Sequence, residues 1–125
     1  MKRVHVRGRK QSNRTRRPSK VWRVQDSFFR QAKASGYVAR SIFKLQQINE
    51  RFKLIQPSHR ILDLGCAPGS WLQYIAEKLQ PQRGGCAVGV DLKCVTLDLK
   101  SHVHVLQQDV FDVHVQTLLL LGQKN

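Results

Sequence analysis

The feature that most constrains this chain is an apolar strand that runs into a glycine-containing turn and then into a helix. Positions 61–71 read ILDLGCAPGSW. The glycines leave room for a ligand against the backbone, and the N-terminus of the following helix points toward the same place. Because ligands of open α/β sheets bind beyond the carboxyl ends of parallel strands, this segment predicts a small-molecule site.

The pattern that surrounds this turn alternates strands with helices. Apolar runs predict strands at residues 60–64, 86–90 and 103–106, and helical spacing predicts helices at 69–79 and 112–121. Strand–helix–strand repeats of this length imply parallel pairing with right-handed crossovers. The sequence therefore predicts an α/β domain over residues 58–125.

Positive charge is concentrated at the front of the chain. The net charge is +14, and residues 1–25 hold ten Lys or Arg and no acid, whereas residues 61–125 hold five basic and six acidic residues. A basic front before a nearly neutral globular half favours binding of a polyanion, with Arg16, Arg17 and Lys20 as candidate contacts. The alternative is a solvated tail that only keeps the chain soluble.

The first 57 residues divide into two segments. Residues 1–24 predict a flexible basic arm, because like charges repel and little apolar surface can be buried. Residues 25–57 predict two helices, at 28–35 and about 40–52, with Asp26 or Ser27 capping the first and Gly36 ending it. The core face of the second helix is predicted at helical spacing, and it comprises Ile42, Leu45, Ile48 and Phe52.

Another arc of the second predicted helix is cationic. Arg40, Lys44 and Arg51 fall close together at about 100° per residue. Such an arc can face phosphate groups, but from periodicity alone an ordinary solvated helix face is the better explanation. These three residues are candidates for contact with nucleic acid.

Cysteine and apolar content bound the location of the chain. Its three cysteines form no CxxC pair, which disfavours a disulfide scaffold or a zinc site and fits a reducing cytoplasm. No secretory signal and no apolar run of about 20 residues is present, so we expect no membrane association. His102 and His104 share a strand face without a third ligand in phase, and we expect no metal site.

Acidic residues follow all three predicted strands or end them. Asp63, Asp91 and Asp109 would meet at one rim of the sheet, where carboxylates can accept hydrogen bonds from ribose hydroxyls and from an exocyclic amine. Each acid taken alone is better explained as a cap or loop residue. The turn between Gly65 and Gly69 contains Pro68 and departs from G-x-G-x-x-G, so a cationic adenosine derivative, S-adenosylmethionine, fits better than NAD.

Two motifs carry a resemblance to a known family. Residues 63–71 are similar to the D-L-G-x-A-P-G-G-W turn of the RrmJ/FtsJ family of S-adenosylmethionine-dependent RNA 2′-O-methyltransferases, with Ser70 in place of the second glycine. The S-R-x-x-x-K-L signature of the family is matched by ARSIFKL at 39–45. The resemblance covers about residues 26–109 and implies a Rossmann-like class I methyltransferase fold.

The resemblance also implies roles for individual residues. It maps Lys44 to the first member of a Lys-Asp-Lys-Glu catalytic set, with Arg40 and Arg51 beside it on phosphate. It implies a cofactor site for S-adenosylmethionine, in which Asp91 holds the ribose and Asp109 the adenine. The whole set predicted to bind the cofactor is Asp63, Gly65, Pro68, Gly69, Trp71, Asp91 and Asp109.

The implied reaction is methyl transfer to a ribose 2′-hydroxyl, with a uridine of large-subunit ribosomal RNA as the implied substrate. In the family the other three catalytic residues follow later strands, and they have no counterpart in these 125 residues. We therefore expect only the first half of the fold, truncated after three parallel strands, and little or no activity from this chain alone. The alternative is a non-catalytic RNA-binding protein on a degenerate methyltransferase fold, and the Pro68 turn disfavours a nucleotide-dependent oxidoreductase.

Overall fold

The computed structural model describes residues 20–123, with side chains described from Ser27 onward. Most of the predicted basic arm, including Arg16 and Arg17, lies outside these residues. The described elements, in chain order, are α1 (Lys20–Ala34), α2 (Ile42–Phe52), β1 (Arg60–Leu64), α3 (Ser70–Lys78), β2 (Cys86–Asp91), β3 (Val103–Gln107) and α4 (Val115–Leu121).

The three strands form one parallel sheet in the order β1-β2-β3. The register pairs Asp63 with Gly89 and Asp91 with Gln107, so the carboxyl ends of all three strands lie along one rim. This arrangement confirms the predicted half of a Rossmann-like fold. It also leaves the outer edge of β1 without a neighbouring strand among the described residues.

One face of the sheet is covered by α3. Leu72, Ile75 and Ala76 of this helix are buried and pack in one cluster with Ala87 of β2. Gly89 permits the close approach, because a Cβ placed there would lie 2.7 Å from Leu72 Cδ1. The apolar residues whose spacing predicted this helix are therefore the ones that pack it against the sheet, directly after the glycine turn.

The first helix begins earlier than the sequence predicted. It starts at Lys20, whereas the prediction placed its start at residue 28 and assigned residues 20–24 to the arm. Asp26 and Ser27 therefore lie inside the helix and do not cap it. Neither Pro nor Gly interrupts residues 20–34, so nothing in this stretch stops the helix from extending toward its N-terminus. The predicted stop is confirmed, since Gly36 has a φ of 78° and its N–H donates to Lys33 O.

The second helix corrects one predicted core residue. Ile42 and Leu45 are buried as expected, but Phe52, at the last position of the helix, is 58% exposed. Asn49 is buried in its place: it donates to Tyr74 OH over 3.2 Å and accepts from the Ile55 N–H over 2.8 Å. A satisfied amide thus joins α2 to α3 where periodicity predicted apolar packing.

The last helix is shorter than predicted. It begins at Val115, and residues Val110–Asp112 form a separate 3₁₀ helix. Two of the four leucines of α4, Leu119 and Leu120, are exposed, and Gly122 O accepts a hydrogen bond from Cys86 Sγ at 3.1 Å. Within residues 20–123, no helix has both the length and the apolar character that crossing a bilayer requires.

Candidate functional site

The turn after β1 is held against β2 by its own backbone. Gly65 has a φ of 77°, and its N–H donates to Val90 O over 2.8 Å. A left-handed φ favours glycine, which explains why the strand ends at this residue. The Ala67–Pro68 peptide that follows is cis. The chain thereby reverses at the rim of the sheet and enters α3.

Gly69 is required by both its conformation and its surroundings. Its φ is 109°, and a Cβ at this position would lie 2.6 Å from Leu97 Cδ1 and 3.0 Å from Val95 Cγ1. The segment after β2 therefore lies directly over the backbone that leads into α3. A side chain at Gly69 would therefore displace Leu97 and Val95 from the turn.

Two hydrogen bonds join the turn to the segment before α2. Ser70 is buried, and its Oγ lies 2.9 Å from Ser41 Oγ. Trp71 Nε1 donates to Ser41 O over 3.0 Å. Ser70 is the residue at which the chain departs from the glycine of the family motif, and its hydroxyl is accommodated by this pairing. The same two bonds fix the start of the helix that carries Lys44.

Residues of the turn and of α2 line one cavity of about 290 Å³. This volume is close to the lower end of the roughly 300–1,000 Å³ typical of small-molecule sites. The structure thus brings together one predicted catalytic residue and four predicted cofactor contacts. The lining includes Ser41, Lys44, Asp63, Gly65, Pro68 and Trp71.

Asp91 ends β2 beside this cavity and is held by backbone amides. Its Oδ2 accepts from the Ala67 N–H over 2.9 Å, and its Oδ1 accepts from the Lys93 N–H over 2.8 Å. These hydrogen bonds, that of Lys93 first, lower the pKa of Asp91 below the ordinary value of 3.8. The carboxylate is therefore ionised near neutral pH, and each oxygen keeps a lone pair for a further donor.

Asp63 has the opposite electrostatic environment. Its Oδ2 is buried and has no hydrogen-bond partner among the described residues. Burial raises the pKa of Asp63 above 3.8, and the nearby charge of Asp91 raises it further. A buried acceptor without a donor is costly, so Asp63 brings an unsatisfied oxygen to the wall of the cavity that the residue lines.

Asp109 lies beyond the end of β3 and caps the short 3₁₀ helix that follows. Its Oδ1 accepts from the Phe111 N–H over 3.0 Å. The preceding Gln108 N–H donates to Asp91 O over 3.0 Å, which places this segment at the same rim as Asp91. The cap occupies one carboxylate oxygen, and Asp109 is not among the residues that line the cavity.

Cys66 lies in the turn but is not suited to nucleophilic chemistry. Burial first, then the charges of Asp63 and Asp91, raise the pKa of its thiol to about 11. The thiol is therefore protonated near neutral pH. Its contribution is packing, since it lies against Gly89 in the covered face of the sheet.

The predicted RNA contacts are only partly described. Arg40 precedes α2, two residues before its first position, and Arg51 lies in its last turn with its guanidinium 5.0 Å from the Phe52 ring centroid. Both are exposed, but only Arg51 belongs to the helix that carries Lys44, whereas the sequence had placed Arg40 in that helix as well. Lys20 is the first residue of α1, and its side chain lies outside the described part, as do Arg16 and Arg17.

The two histidines of the β3 region differ in their surroundings. His102 is buried, and its Nε2 lies 3.1 Å from Ala76 O. Nε2 of His104 is buried without a partner among the described side chains. No group of three or more metal-ligating side chains occurs within the described residues.

Sequence reasoning missed the residues that position the site. Gln73 donates to Gly36 O and accepts from the Val38 N–H, each over 3.0 Å, and so fastens the segment between α1 and α2 to α3. Ser41 and Asn49 serve the same purpose at other points. Single polar residues on amphipathic helices carry no periodic signal, so only the three-dimensional contacts identify them.

Comparison with known proteins places this site in a wider context. The model of the FtsJ-like methyltransferase family matches residues 37–124. A ribosomal RNA large subunit methyltransferase E from Syntrophobacter fumaroxidans is 48% identical over 89 residues, which cover 71% of this chain and 44% of the relative. A protein of the same name from Desulfosudis oleivorans is 38% identical over 103 residues, covering 82% and 49%.

The chain spans about half the length of these curated relatives. Among solved structures, a chain described as a ribosomal RNA methyltransferase from Plasmodium falciparum aligns with a TM-score of 0.48 and 28% identity. That alignment covers 61% of this chain and 40% of the other, and at this score it supports no conclusion of its own.

Proposed function

The chain belongs to the FtsJ-like methyltransferase family, and from this premise we propose that its cavity binds S-adenosylmethionine as part of an RNA ribose 2′-O-methyltransferase. The observation that carries the proposal is the position of Lys44, from one motif, in the same 290 Å³ cavity as Asp63 and the turn of the other motif. Two motifs that lie apart in the sequence thus meet where the cofactor and the substrate would have to meet.

The residues of the cavity suit a cationic nucleoside. Asp63 lines the cavity and has a carboxylate oxygen without a hydrogen-bond partner among the described residues, and Gly65 contributes a wall without a side chain. Each carboxylate oxygen of Asp91 accepts one backbone N–H and keeps a lone pair that can accept from a ribose hydroxyl. Asp109 would accept from the adenine amine with Oδ2, the oxygen that its cap does not use. The bound cofactor would supply an electrophilic methyl group on a sulfonium.

Lys44 and its neighbours would serve the RNA side of the site. An ammonium at the cavity can donate to the ribose 2′-oxygen and orient it toward the methyl group. Arg40 and Arg51 would hold phosphates on either side, together with Lys20, Arg16 and Arg17 from the N-terminal region. The substrate ribose is thereby positioned while its base and flanking phosphates remain outside the cofactor cavity.

The proposed substrate is a uridine of large-subunit ribosomal RNA, in the cytoplasm. The names of the relatives support the ribosomal assignment, and the basic front half of the chain supports an RNA partner. The chain keeps Lys44 of the implied catalytic set and has no counterpart of the other three members. We therefore expect cofactor and RNA binding from this chain, with little or no methyl transfer.

Calorimetric titration of the full chain with S-adenosylmethionine and, separately, with NAD tests the cofactor assignment. We expect binding of S-adenosylmethionine alone, and we expect Asp91→Ala to abolish it. Asp98→Ala is the matched control, because Asp98 is an exposed acid of the segment that follows β2. Binding of NAD, or unaltered binding by Asp91→Ala, would contradict the proposal.

RNA binding by the same samples separates the enzyme from its alternative. A non-catalytic RNA-binding protein on this fold would retain salt-dependent RNA affinity and show no heat with S-adenosylmethionine. Incubation with labelled S-adenosylmethionine and ribosomal RNA then tests the chain alone, for which we expect at most trace 2′-O-methylation. Robust methylation would show that the remaining catalytic residues are dispensable or replaced.

A further inference from the structure

A second hollow, of about 390 Å³, lies between the C-terminal half of α1 and the segment 36–41 that leads to α2. Its volume is within the roughly 300–1,000 Å³ of small-molecule sites. The walls are mainly apolar, with one cation among them. The residues that line it include Phe29, Ala32, Lys33, Tyr37, Val38 and Ala39.

Phe29 is the most distinctive side chain of this hollow. It is 54% exposed, although burying a phenylalanine ring away from water is favourable. Its neighbour Phe28 packs against the Phe43 ring with centroids 5.7 Å apart, and so joins α1 to α2. Among the described residues, Phe29 has no such ring partner. The fold therefore uses one of the two adjacent rings and leaves the other at the hollow.

The opposite wall is rigid because its polar groups are already bound. Gln73 holds Gly36 O and the Val38 N–H, and Tyr37 OH donates to Glu77 Oε2 over 2.9 Å. Burial and the bond to Glu77 raise the pKa of Tyr37 to about 12, so this donor persists across the physiological range. A hollow with fixed walls is preorganised for a flat apolar ligand.

Segment 36–41 is shared with the cavity described above. Ala39 lines the hollow and Ser41 lines the cavity with Lys44, and two residues span at most about 7 Å. Arg40 lies between them. A nucleic acid strand that presents a ribose at Lys44 would therefore pass Arg40 and reach the hollow with a neighbouring nucleotide.

Charge favours such an occupant over a protein segment of mixed charge. Residues 26–60 contain seven Lys or Arg against Asp26 and Glu50. Lys33 stands at the hollow itself and can contact a phosphate. Proteins that recognise unpaired RNA commonly stack bases on aromatic rings and hold the backbone with nearby cations.

We propose that the hollow at Phe29 binds the unstacked base of a nucleotide that flanks the methylated one, with Lys33 on its phosphate. The proposal rests on the proposed function for its RNA partner and adds a specificity subsite to it. Phe29 and Lys33 both precede the residues that the family model matches, 37–124, so the two proposed contacts to the nucleotide lie outside the matched region.

The test measures affinity for a single-stranded RNA oligonucleotide that carries 2-aminopurine, at several salt concentrations, with the full chain. Phe29→Ala should raise the Kd by roughly fivefold or more and remove the quenching of 2-aminopurine that stacking causes. The slope of log K against log salt should not change, because no phosphate contact is lost. Lys33→Gln should instead reduce the magnitude of that slope by about 0.7.

Two further variants serve as controls. Phe29→Trp keeps an aromatic face and should restore affinity and quenching, whereas Leu119→Ala, at a comparably exposed apolar residue of α4, should leave both unchanged. S-Adenosylmethionine affinity should be the same for all variants. RNA binding that Phe29→Ala leaves intact would overturn the subsite alone, and absence of RNA binding by the unaltered chain would overturn this proposal and the RNA part of the proposed function.

Discussion

The two faces of the sheet differ in how completely they are covered. On the face that packs against α3, Leu72 and Ala87 are both 0% exposed. On the face toward α4, Val88 and Val90 of β2 are buried, whereas Leu64 of β1 is 55% exposed and Leu120 of α4 is 61% exposed. This second face is therefore covered at β2 and open at β1, and its exposed leucines add little to folding because their apolar surface stays in water.

The candidate site depends on the covered face of the sheet and not on the open one. The turn, Asp63 and Gly69 all depend on packing from the covered face and its flanking segments. The open face instead contains a small apolar hollow of about 130 Å³ between β1, β2 and α4, with exposed leucines around it. The comparison teaches that one well-covered face of the sheet is enough to hold the turn and the ends of the three strands along a single rim.

The largest expected effect is a cavity on the covered face. Leu72→Ala should lower the free energy of unfolding by about 2–5 kcal/mol, because the side chain is fully buried and its contacts are lost. Leu120→Ala on the open face should change it by no more than about 0.5 kcal/mol. Urea denaturation of both variants measures the difference. Equal losses would show that the two faces contribute alike and would break the comparison.

A smaller loss should follow from adding volume to the covered face. In Gly89→Ala, the new Cβ would lie 2.7 Å from Leu72 Cδ1 and 2.8 Å from Cys66 Sγ. Overpacking of this kind costs about 1–3 kcal/mol. Thermal unfolding with and without S-adenosylmethionine checks both stability and the turn, and a variant as stable as the parent would mean that α3 can move away from the sheet.

A pH-dependent effect should distinguish the two acids at the rim. The folded-state pKa of Asp63 is raised, so its ionisation costs stability as pH rises from the unfolded value of 3.8 through the folded pKa. Asp63→Asn removes this cost and should flatten that decline, while weakening S-adenosylmethionine binding. Asp91 has the opposite sign: its contribution is present above 3.8 and is lost as pH falls through its lowered pKa. Denaturation of the parent and of Asp63→Asn at several values between pH 3 and 7 measures this. The same dependence of the free energy of unfolding on pH in both proteins would contradict the assignment.

The smallest effect on folding is expected at the open edge. Leu64→Lys should leave the free energy of unfolding within about 0.5 kcal/mol, since the side chain is already more than half exposed. It should, however, reduce self-association, because exposed leucines promote it when they lie beside a strand edge that no other strand of residues 20–123 pairs with. Sedimentation velocity at increasing concentration measures this, and Leu72→Lys, which places charge in the core, is the contrasting variant.

The sequence predicted the covered layer well and the connections poorly. Strand β1 was predicted within its observed bounds, because an apolar run ends at a glycine that only a turn explains. The predicted start of α1 and the predicted burial of Phe52 were wrong, because periodicity does not say where a helix begins or where it loses its packing partner. The hydroxyl pair of Ser41 and Ser70 has no sequence signal at all.

For the candidate site, the sequence motifs predicted which residues lie near one another, and only the structure showed the contacts made by the loops. Lys44, Asp63 and Trp71 meet in one cavity as their motifs suggested. The cap formed by Asp109 and the hollow at Phe29 could not be predicted, since both depend on how loops fold back on the sheet. Their roles in binding remain predictions for the experiments above.

The bond from Trp71 Nε1 to Ser41 O has a consequence for how two ligands would influence one another. It ties the backbone just before the lysine-bearing helix to the start of the helix behind the glycine turn. Any ligand that immobilises one side lowers the entropy lost when the other side is ordered. Occupancy of either pocket should therefore tighten the other by an equal factor, and Trp71→Phe should uncouple them.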